Sequence, residues 1–181
     1  MTAQQLNLPV SLADDTLFDN FLSAPLSIRQ QALSFLKALF SAGGTSSCKG
    51  NILLWGGMGS GLTHLLQAAC HEGVACGQRI QYLPLELMAN YPARDVLEGL
   101  GACQLVCLDN FQVVVGIPDW EEELFHLLNE LSATGGRLLI SASAAPRDLH
   151  SLIDHLHQLD SFALQYQSKA TIPLMKKAFG W

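Results

Sequence analysis

The sequence predicts a three-layer α/β sandwich, in which helices cover both faces of a mostly parallel sheet of five strands. Three observations favour this fold. Apolar runs of strand length alternate along the chain with stretches of helical periodicity. The first central strand enters a glycine-rich turn that leads directly into a helix, and a later apolar strand ends in an acid. Such a sheet is expected to bind its ligand at the carboxyl ends of the strands.

Helices are predicted where apolar residues recur at helical spacing, and strands where short apolar or alternating runs are bounded by glycine or proline. Gly43 and Gly44 end the first helix, Pro92 divides a helical stretch into short pieces, and Gly135 with Gly136 ends the longest helix. The predicted helices cover 26–41, 64–76, parts of 86–100, 117–133 and 146–159. The first predicted strand begins at Asn51. The other predicted strands cover 78–83, 105–110, 137–143 and 162–167.

Composition and charge limit the classes of function. The chain has 181 residues, of which 49% are hydrophobic and 14% charged, as expected for one globular domain rather than a disordered segment. Its formal charge of −6 argues against general or sequence-specific DNA binding. The sequence shows neither a membrane-span pattern nor a secretory signal, and its five cysteines lack C-x-x-C spacing. We therefore expect a cytoplasmic protein with reduced, packed cysteines.

The longest predicted helix carries three consecutive glutamates, Glu121, Glu122 and Glu123, in its first turn. Negative charges there complement the helix dipole, although three carboxylates could also hold a metal ion. His155 and His157 point in different directions on a helix and make a poor metal site. We interpret the three glutamates as residues that complement the helix dipole and the two histidines as surface residues. We therefore predict that neither group binds a metal ion.

The glycine-rich turn resembles a phosphate-binding loop of the form G-x-x-x-x-G-K-[ST]. Gly56, Gly61 and Thr63 match this pattern, but Leu62 stands where the lysine should contact the β and γ phosphates. We therefore expect ADP or ATP, with Mg²⁺, to bind weakly, and hydrolysis to be slow or absent. The candidate nucleotide-binding residues in the loop are Gly56, Gly57, Gly59, Ser60, Gly61, Leu62 and Thr63.

An ordinary tight turn is the alternative interpretation of this loop, because glycine supplies the positive φ angles that such turns need. The context favours phosphate binding. An apolar strand precedes the loop, and the helix after it places Leu65, Leu66, Ala69 and Cys70 on one face.

The apolar strand that ends at Asp109 resembles a Walker B strand, whose first carboxylate holds Mg²⁺. The next position, where hydrolytic ATPases commonly carry a second acid, holds Asn110, and an amide is a poor base. Ser141 or Ser143, on the neighbouring predicted strand, is a candidate for sensing the γ-phosphate. The alternative is that these two serines only end their strand.

The first ten residues carry the segment Gln5-Leu6-Asn7-Leu8-Pro9-Val10. Its leucines alternate, so an extended conformation would place both of them in a partner's pockets, as in a docking peptide. The alternative is that the segment packs on its own domain as an edge strand.

Four segments together resemble the Hda family, short relatives of the initiator DnaA within the AAA+ ATPases. They are the loop from Trp55 to Ala68, the strand ending in Asp109 and Asn110, residues 137–149, and residues 5–10. The resemblance covers the chain up to about Gln167. It implies an AAA+ fold, and it implies that Gln5, Leu6, Leu8 and Pro9 dock on the beta subunit of the DNA polymerase, the sliding clamp.

The resemblance further implies that DnaA is a partner, because Hda-type proteins on the clamp promote hydrolysis of the ATP bound to DnaA through an arginine finger. Gln158 stands at the finger position, which leaves only another cation such as Arg147 to replace it. The family's helical lid would begin where this chain ends. With Leu62 and Asn110, these departures indicate a protein that does not act as an enzyme.

The sequence therefore predicts a clamp-binding tail at 1–12, an AAA+-like domain at 13–167 and a C-terminal tail without a lid at 168–181. The predicted function is regulation of replication initiation as an adaptor. A nucleotide-binding protein that retains weak ATPase activity or weakly activates DnaA is the alternative. A fold relative that bridges unrelated partners is a third.

Overall fold

A computed structural model describes residues 12–13, 15–24, 27–40 and 50–143, together with the backbone of the strand at 162–166. The predictions for Gln5, Leu6, Leu8 and Pro9, for Arg147 and Gln158, for the helix at 146–159 and for a missing lid lie outside these residues. Within the described residues, no helix combines the length and apolarity needed to cross a bilayer.

Five parallel strands form one sheet, as predicted, and their order in the sheet is β2-β3-β4-β1-β5. The chain alternates between strand and helix, and each return to a parallel strand requires such a crossover. The strands are β1 (Ile52–Gly56), β2 (Ile80–Pro84), β3 (Leu105–Asp109), β4 (Arg137–Ala142) and β5 (Phe162–Tyr166). The helices are α1 (Ile28–Phe40), α2 (Leu62–Ala75), α3 (Leu85–Met88), α4 (Ala93–Leu97) and α5 (Pro118–Thr134).

Side chains alternate across the sheet and build two cores. In β1, Ile52 and Leu54 join a core with α1 and α2, whereas Leu53 and Trp55 join a core with α3, α4 and α5. Both faces of the sheet are therefore buried, as a parallel sheet requires. We call these the α2 face and the α5 face. They confirm the three-layer prediction.

The helix ends follow local chemistry. Gln30 N–H donates to Ser27 Oγ at 3.1 Å, which caps the start of α1. α5 begins with Pro118 and ends at Gly135, whose φ of 79° is the left-handed conformation that glycine adopts readily. α2 begins at Leu62, two residues earlier than predicted, because left-handed Gly61 already turns the chain into the helix.

The cysteines that the structure describes largely confirm the packing interpretation, and Cys48 lies outside the described residues. Cys70, Cys103 and Cys107 are buried and free, whereas Cys76 is exposed. Burial raises the pKa of the Cys107 thiol well above its ordinary value, and the neighbouring Cys70 adds to this shift. The Cys107 thiol therefore stays protonated and acts as a small apolar group.

Candidate functional site

The glycine-rich loop joins the carboxyl end of β1 to the first turn of α2. Gly59 and Gly61 have φ angles of 76° and 86°, and the loop closes with a 3.1 Å bond from Ser60 N–H to the Gly57 carbonyl. Gly57 and Gly59 are exposed, and a Cβ added to either would meet no atom within 4 Å. The backbone is therefore open to a ligand beside a helix N-terminus, an arrangement that fits a phosphate group.

Leu62 does more than remove a positive charge from this loop. Its side chain is only 9% exposed and belongs to the core on the α2 face, which also contains Phe18 and Leu65. Thr63, the residue after it, is exposed. The position that holds a phosphate-binding lysine in the intact motif is thus used here for packing.

Asp109 lies at the end of β3 and is 2% exposed. One carboxylate oxygen, Oδ2, accepts a hydrogen bond from the Tyr82 hydroxyl at 2.7 Å, and the other, Oδ1, accepts one from the Ser141 hydroxyl. Parallel pairing of β2 with β3 places Tyr82 on the same face as Asp109, within reach of a long side chain. The register of Leu108 with Ile140 places Ser141 next to Asp109 on the other side.

Ser141, one of the two candidate sensors, is buried at the end of β4 and contacts the Walker B strand directly. Besides donating to Asp109, it accepts a 3.0 Å hydrogen bond from the Asn110 backbone N–H. Ser143 is exposed, and its N–H donates to Gln112 Oε1 at 3.0 Å. The structure therefore brings Ser141, and not Ser143, to the acid.

Asn110 turns the chain sharply out of β3. Its φ of 59° and ψ of 47° lie in the left-handed region, which asparagine tolerates better than most residues. Its side-chain oxygen accepts a 3.4 Å hydrogen bond from Gln112. These observations give Asn110 a role in the turn.

Tyr82 was not predicted as a site residue. Burial raises the pKa of its phenol well above the ordinary value; the hydrogen bond from Gln67 lowers it, and the contact with Asp109 raises it. The phenol therefore remains a donor toward the carboxylate. A tyrosine on a strand two residues before a proline gives no local signal of this contact, which depends on strand order.

The segment before α1, residues 12–13 and 15–24, packs along α2. His64 and His71 donate through Nε2 to the carbonyls of Leu17 at 2.8 Å and Ala13 at 3.0 Å, because a carbonyl oxygen can only accept. These two histidines are therefore anchors of this segment, a role that the sequence analysis did not assign to them. Their spacing of seven residues, with Gln67 between them, marks one face of a helix and could have signalled it.

Phe18 and Phe21 also hold this segment on the domain. Phe18 is buried in the core of the α2 face. The Phe21 ring lies 5.4 Å from the His64 ring, and a Cβ on Gly61 would approach it to 2.7 Å. The segment thus contacts the phosphate loop itself.

A magnesium ion fits these residues less well than a phosphate does. Each carboxylate oxygen of Asp109 already accepts a hydrogen bond from a hydroxyl group, one from Tyr82 and the other from Ser141. Among the residues that the structure describes, no cluster of three or more His, Cys, Asp or Glu side chains could hold a metal ion. The loop backbone is suited to an anion. The carboxylate that would usually help to bind the metal ion, Asp109, is hydrogen-bonded to Tyr82 and Ser141 instead.

Solved structures share this fold. AMPPCP-bound DnaA from Aquifex aeolicus matches with a TM-score of 0.69 and 21% identity, over 93% of this chain and 56% of that one. Domain III of Thermotoga maritima DnaA matches with a TM-score of 0.65 and 24% identity, over 86% and 69%. The DnaC helicase loader matches with a TM-score of 0.59 and 16% identity, over 83% and 97%.

The chain thus spans little more than half the length of the Aquifex aeolicus DnaA chain. Its sequence also matches the bacterial DnaA ATPase domain over residues 12–165, which is most of its length. With the sheet order described above, these matches confirm the predicted α/β P-loop fold of the AAA+ type. The chain belongs to the bacterial DnaA ATPase domain family.

Proposed function

We propose that this protein regulates the initiation of DNA replication as an adaptor of the Hda type. In this proposal it docks on the sliding clamp through Gln5, Leu6, Leu8 and Pro9, binds DnaA, and hydrolyses no ATP itself. Membership of the DnaA ATPase domain family supports the connection with replication. The burial of Leu62 in the core carries the part of the proposal that the protein hydrolyses no ATP, because a packed leucine cannot supply the charge that catalysis requires.

The N-terminal segment supports the adaptor role. Residues 12–24 are held on α2 by hydrogen bonds from His64 and His71 and by Phe18 in the core. The docking peptide at 5–9 precedes this anchored segment directly in the chain. A partner bound to the peptide would therefore be tethered within a few residues of the folded domain.

Clamp binding is the first test. Replacing Gln5 and Leu8 by alanine is expected to weaken binding of the intact chain to purified sliding clamp at least about tenfold, since burying one leucine contributes about 1.5–3 kcal/mol. Calorimetric titration would measure the affinity. The matched control replaces by alanine Gln4, which precedes the peptide, and Asn7, which lies between its two leucines, and it should bind as the unmodified chain does.

Two results would contradict the docking proposal. The unmodified chain could fail to bind the clamp, or both double variants could bind equally well. The first result would favour the bridging of other partners by the same fold. The second would move the contact away from the N-terminal peptide.

Nucleotide binding is a second candidate function, with weak ATPase activity or weak activation of DnaA. Two observations favour it: the open backbone at Gly57 and Gly59, and the AMPPCP bound in the similar DnaA structure. If it holds, ADP or ATP at a hundred times the dissociation constant should raise the free energy of unfolding by about 2.7 kcal/mol. Thermal unfolding with and without nucleotide measures this directly, and an unchanged midpoint at millimolar nucleotide would argue against it.

A further inference from the structure

A relay of side chains runs from the N-terminal segment to the end of β3. The Thr16 hydroxyl shares its one hydrogen between the Ala13 carbonyl at 2.6 Å and Gln67 Oε1 at 3.0 Å. Gln67 Nε2 donates to Tyr82 Oη at 3.3 Å, and Tyr82 Oη donates to Asp109 at 2.7 Å. The relay crosses α2 and β2, so it joins four elements that are distant in sequence. The Ala13 backbone N–H also donates to Gln67 Oε1, at 3.4 Å.

The relay has a direction. A carboxylate accepts but cannot donate, so Tyr82 must turn its hydrogen toward Asp109 and present its lone pairs to Gln67. The Gln67 amide is then fixed with its NH₂ toward Tyr82 and its oxygen toward Thr16 and Ala13. Hydrogen bonds aligned in this way strengthen one another, and a charged acceptor at the end strengthens them further.

A second arm ends at the same carboxylate. Ser141 donates to the other oxygen of Asp109 and accepts from the Asn110 backbone N–H. Each oxygen of the buried carboxylate therefore already accepts a hydrogen bond from the chain itself. Thr63, the hydroxyl expected to share a metal ion with Asp109, is exposed and shares no hydrogen bond with it.

We infer that Asp109 is a positioning residue, which fixes the N-terminal segment on α2 through Tyr82 and Gln67, and is not a metal ligand. Asp109 orders Tyr82, Tyr82 orders Gln67, and Gln67 holds residues 13 and 16. The inference concerns the chain's own residues and does not depend on a clamp or a nucleotide. In this role, the acid at the Walker B position helps to hold Ala13 and Thr16 against α2.

Hydrogen–deuterium exchange of the full chain tests the relay. In Tyr82→Phe and in Asp109→Asn, amides of residues 12–17 should exchange about fivefold faster, the effect of losing one net hydrogen bond. Amides of α5, which lies on the other face of the sheet, should change less than about twofold. Tyr91→Phe is the matched control, because Tyr91 is exposed and lies outside the relay.

The half-buried Thr16 allows the same test from the surface end of the relay. Thr16→Val keeps the shape of the side chain and leaves the buried core untouched, but it removes the hydroxyl bonds to both Gln67 and the Ala13 carbonyl. It should therefore accelerate exchange at residues 12–17 more than Tyr82→Phe does. Adding Tyr82→Phe to Thr16→Val should give little further acceleration, because the relay is already broken. Unchanged exchange at 12–17 in all variants, or equal acceleration in α5, would overturn the positioning role.

Magnesium tests the second half of the inference. The midpoint of thermal unfolding, with and without ADP, should be the same in millimolar Mg²⁺ as in EDTA. This should hold for the intact chain and for Asp109→Asn. A stabilisation that requires Mg²⁺ and is lost in Asp109→Asn would overturn the inference, because it would make Asp109 a metal ligand after all.

Discussion

Replacing Gly136 by alanine is expected to lower the free energy of unfolding by about 3 kcal/mol, the upper end of what overpacking usually costs. A Cβ at this position would lie 2.4 Å from the Cys103 carbonyl oxygen and 2.7 Å from a Leu131 methyl group. The carbonyl belongs to the backbone before β3 and cannot turn aside as a side chain can. The contact can be relieved only if β4 moves away from β3.

Backbone hydrogen bonds made by Gly136 and by the next residue, Arg137, limit this movement. Its N–H donates to the Leu131 carbonyl at 2.8 Å, and the next N–H, of Arg137, donates to Gln104 at 3.1 Å. A shift of β4 would disturb these bonds and the approach of Ser141 to Asp109. The variant is therefore expected to loosen the site as well as the fold.

Urea unfolding measures this effect, provided that the slope of free energy against urea stays constant. Gly135→Ala is the matched control. Its φ of 79° adds about 1–2 kcal/mol of backbone strain, but a Cβ there would meet no atom within 4 Å. An equal or smaller loss for Gly136→Ala than for Gly135→Ala would show that the contact with Cys103 is relieved easily.

The glycines at the end of α5 show what the sequence could and could not predict. That a helix ends at Gly135 follows from local chemistry, because glycine adopts the left-handed cap conformation at little cost. That the next glycine cannot be enlarged depends on Cys103, more than thirty residues earlier in the chain. Local patterns thus predicted the elements, whereas the tight contacts between them required the structure.

The same distinction applies to the site. The glycine-rich turn before α2 and the acid at the end of β3 could be placed from the sequence, because each is a local pattern of residue types. Tyr82, Gln67 and the two anchoring histidines were missed, because their roles depend on strand order and on the path of residues 12–24 over α2. The docking peptide and the arginine-finger position stay predictions from resemblance, since the structure does not describe them.

At Leu62, the sequence pattern and the three-dimensional packing lead to different expectations. From the sequence, it is a missing lysine, and restoring the lysine should restore phosphate binding. From the structure, it is a core residue beside Phe18 and Leu65, and a lysine there would remove buried apolar area. Leu62→Lys is therefore expected to lower the free energy of unfolding by about 2–3 kcal/mol without nucleotide.

The cost should stay within this range because lysine can keep its methylene groups against the core while its ammonium group reaches water. From the first turn of α2, the ammonium group would also be near a phosphate bound in the loop. Leu62→Lys should therefore bind ADP and ATP more tightly than the intact chain, and nucleotide should recover part of the lost stability. ATP hydrolysis should not return, because Asn110 still lacks a carboxylate.

Leu62→Met separates loss of packing from gain of charge, because it conserves volume and should cost less than about 1.5 kcal/mol. Thermal unfolding of both variants with and without ADP gives four midpoints. A lysine variant that is as stable as the methionine variant would mean that Leu62 contributes little to the core. A lysine variant that is destabilised but gains no affinity for ADP would mean that the loop no longer presents a phosphate site. Only destabilisation together with tighter ADP binding fits a phosphate loop whose cation position has been absorbed into the core.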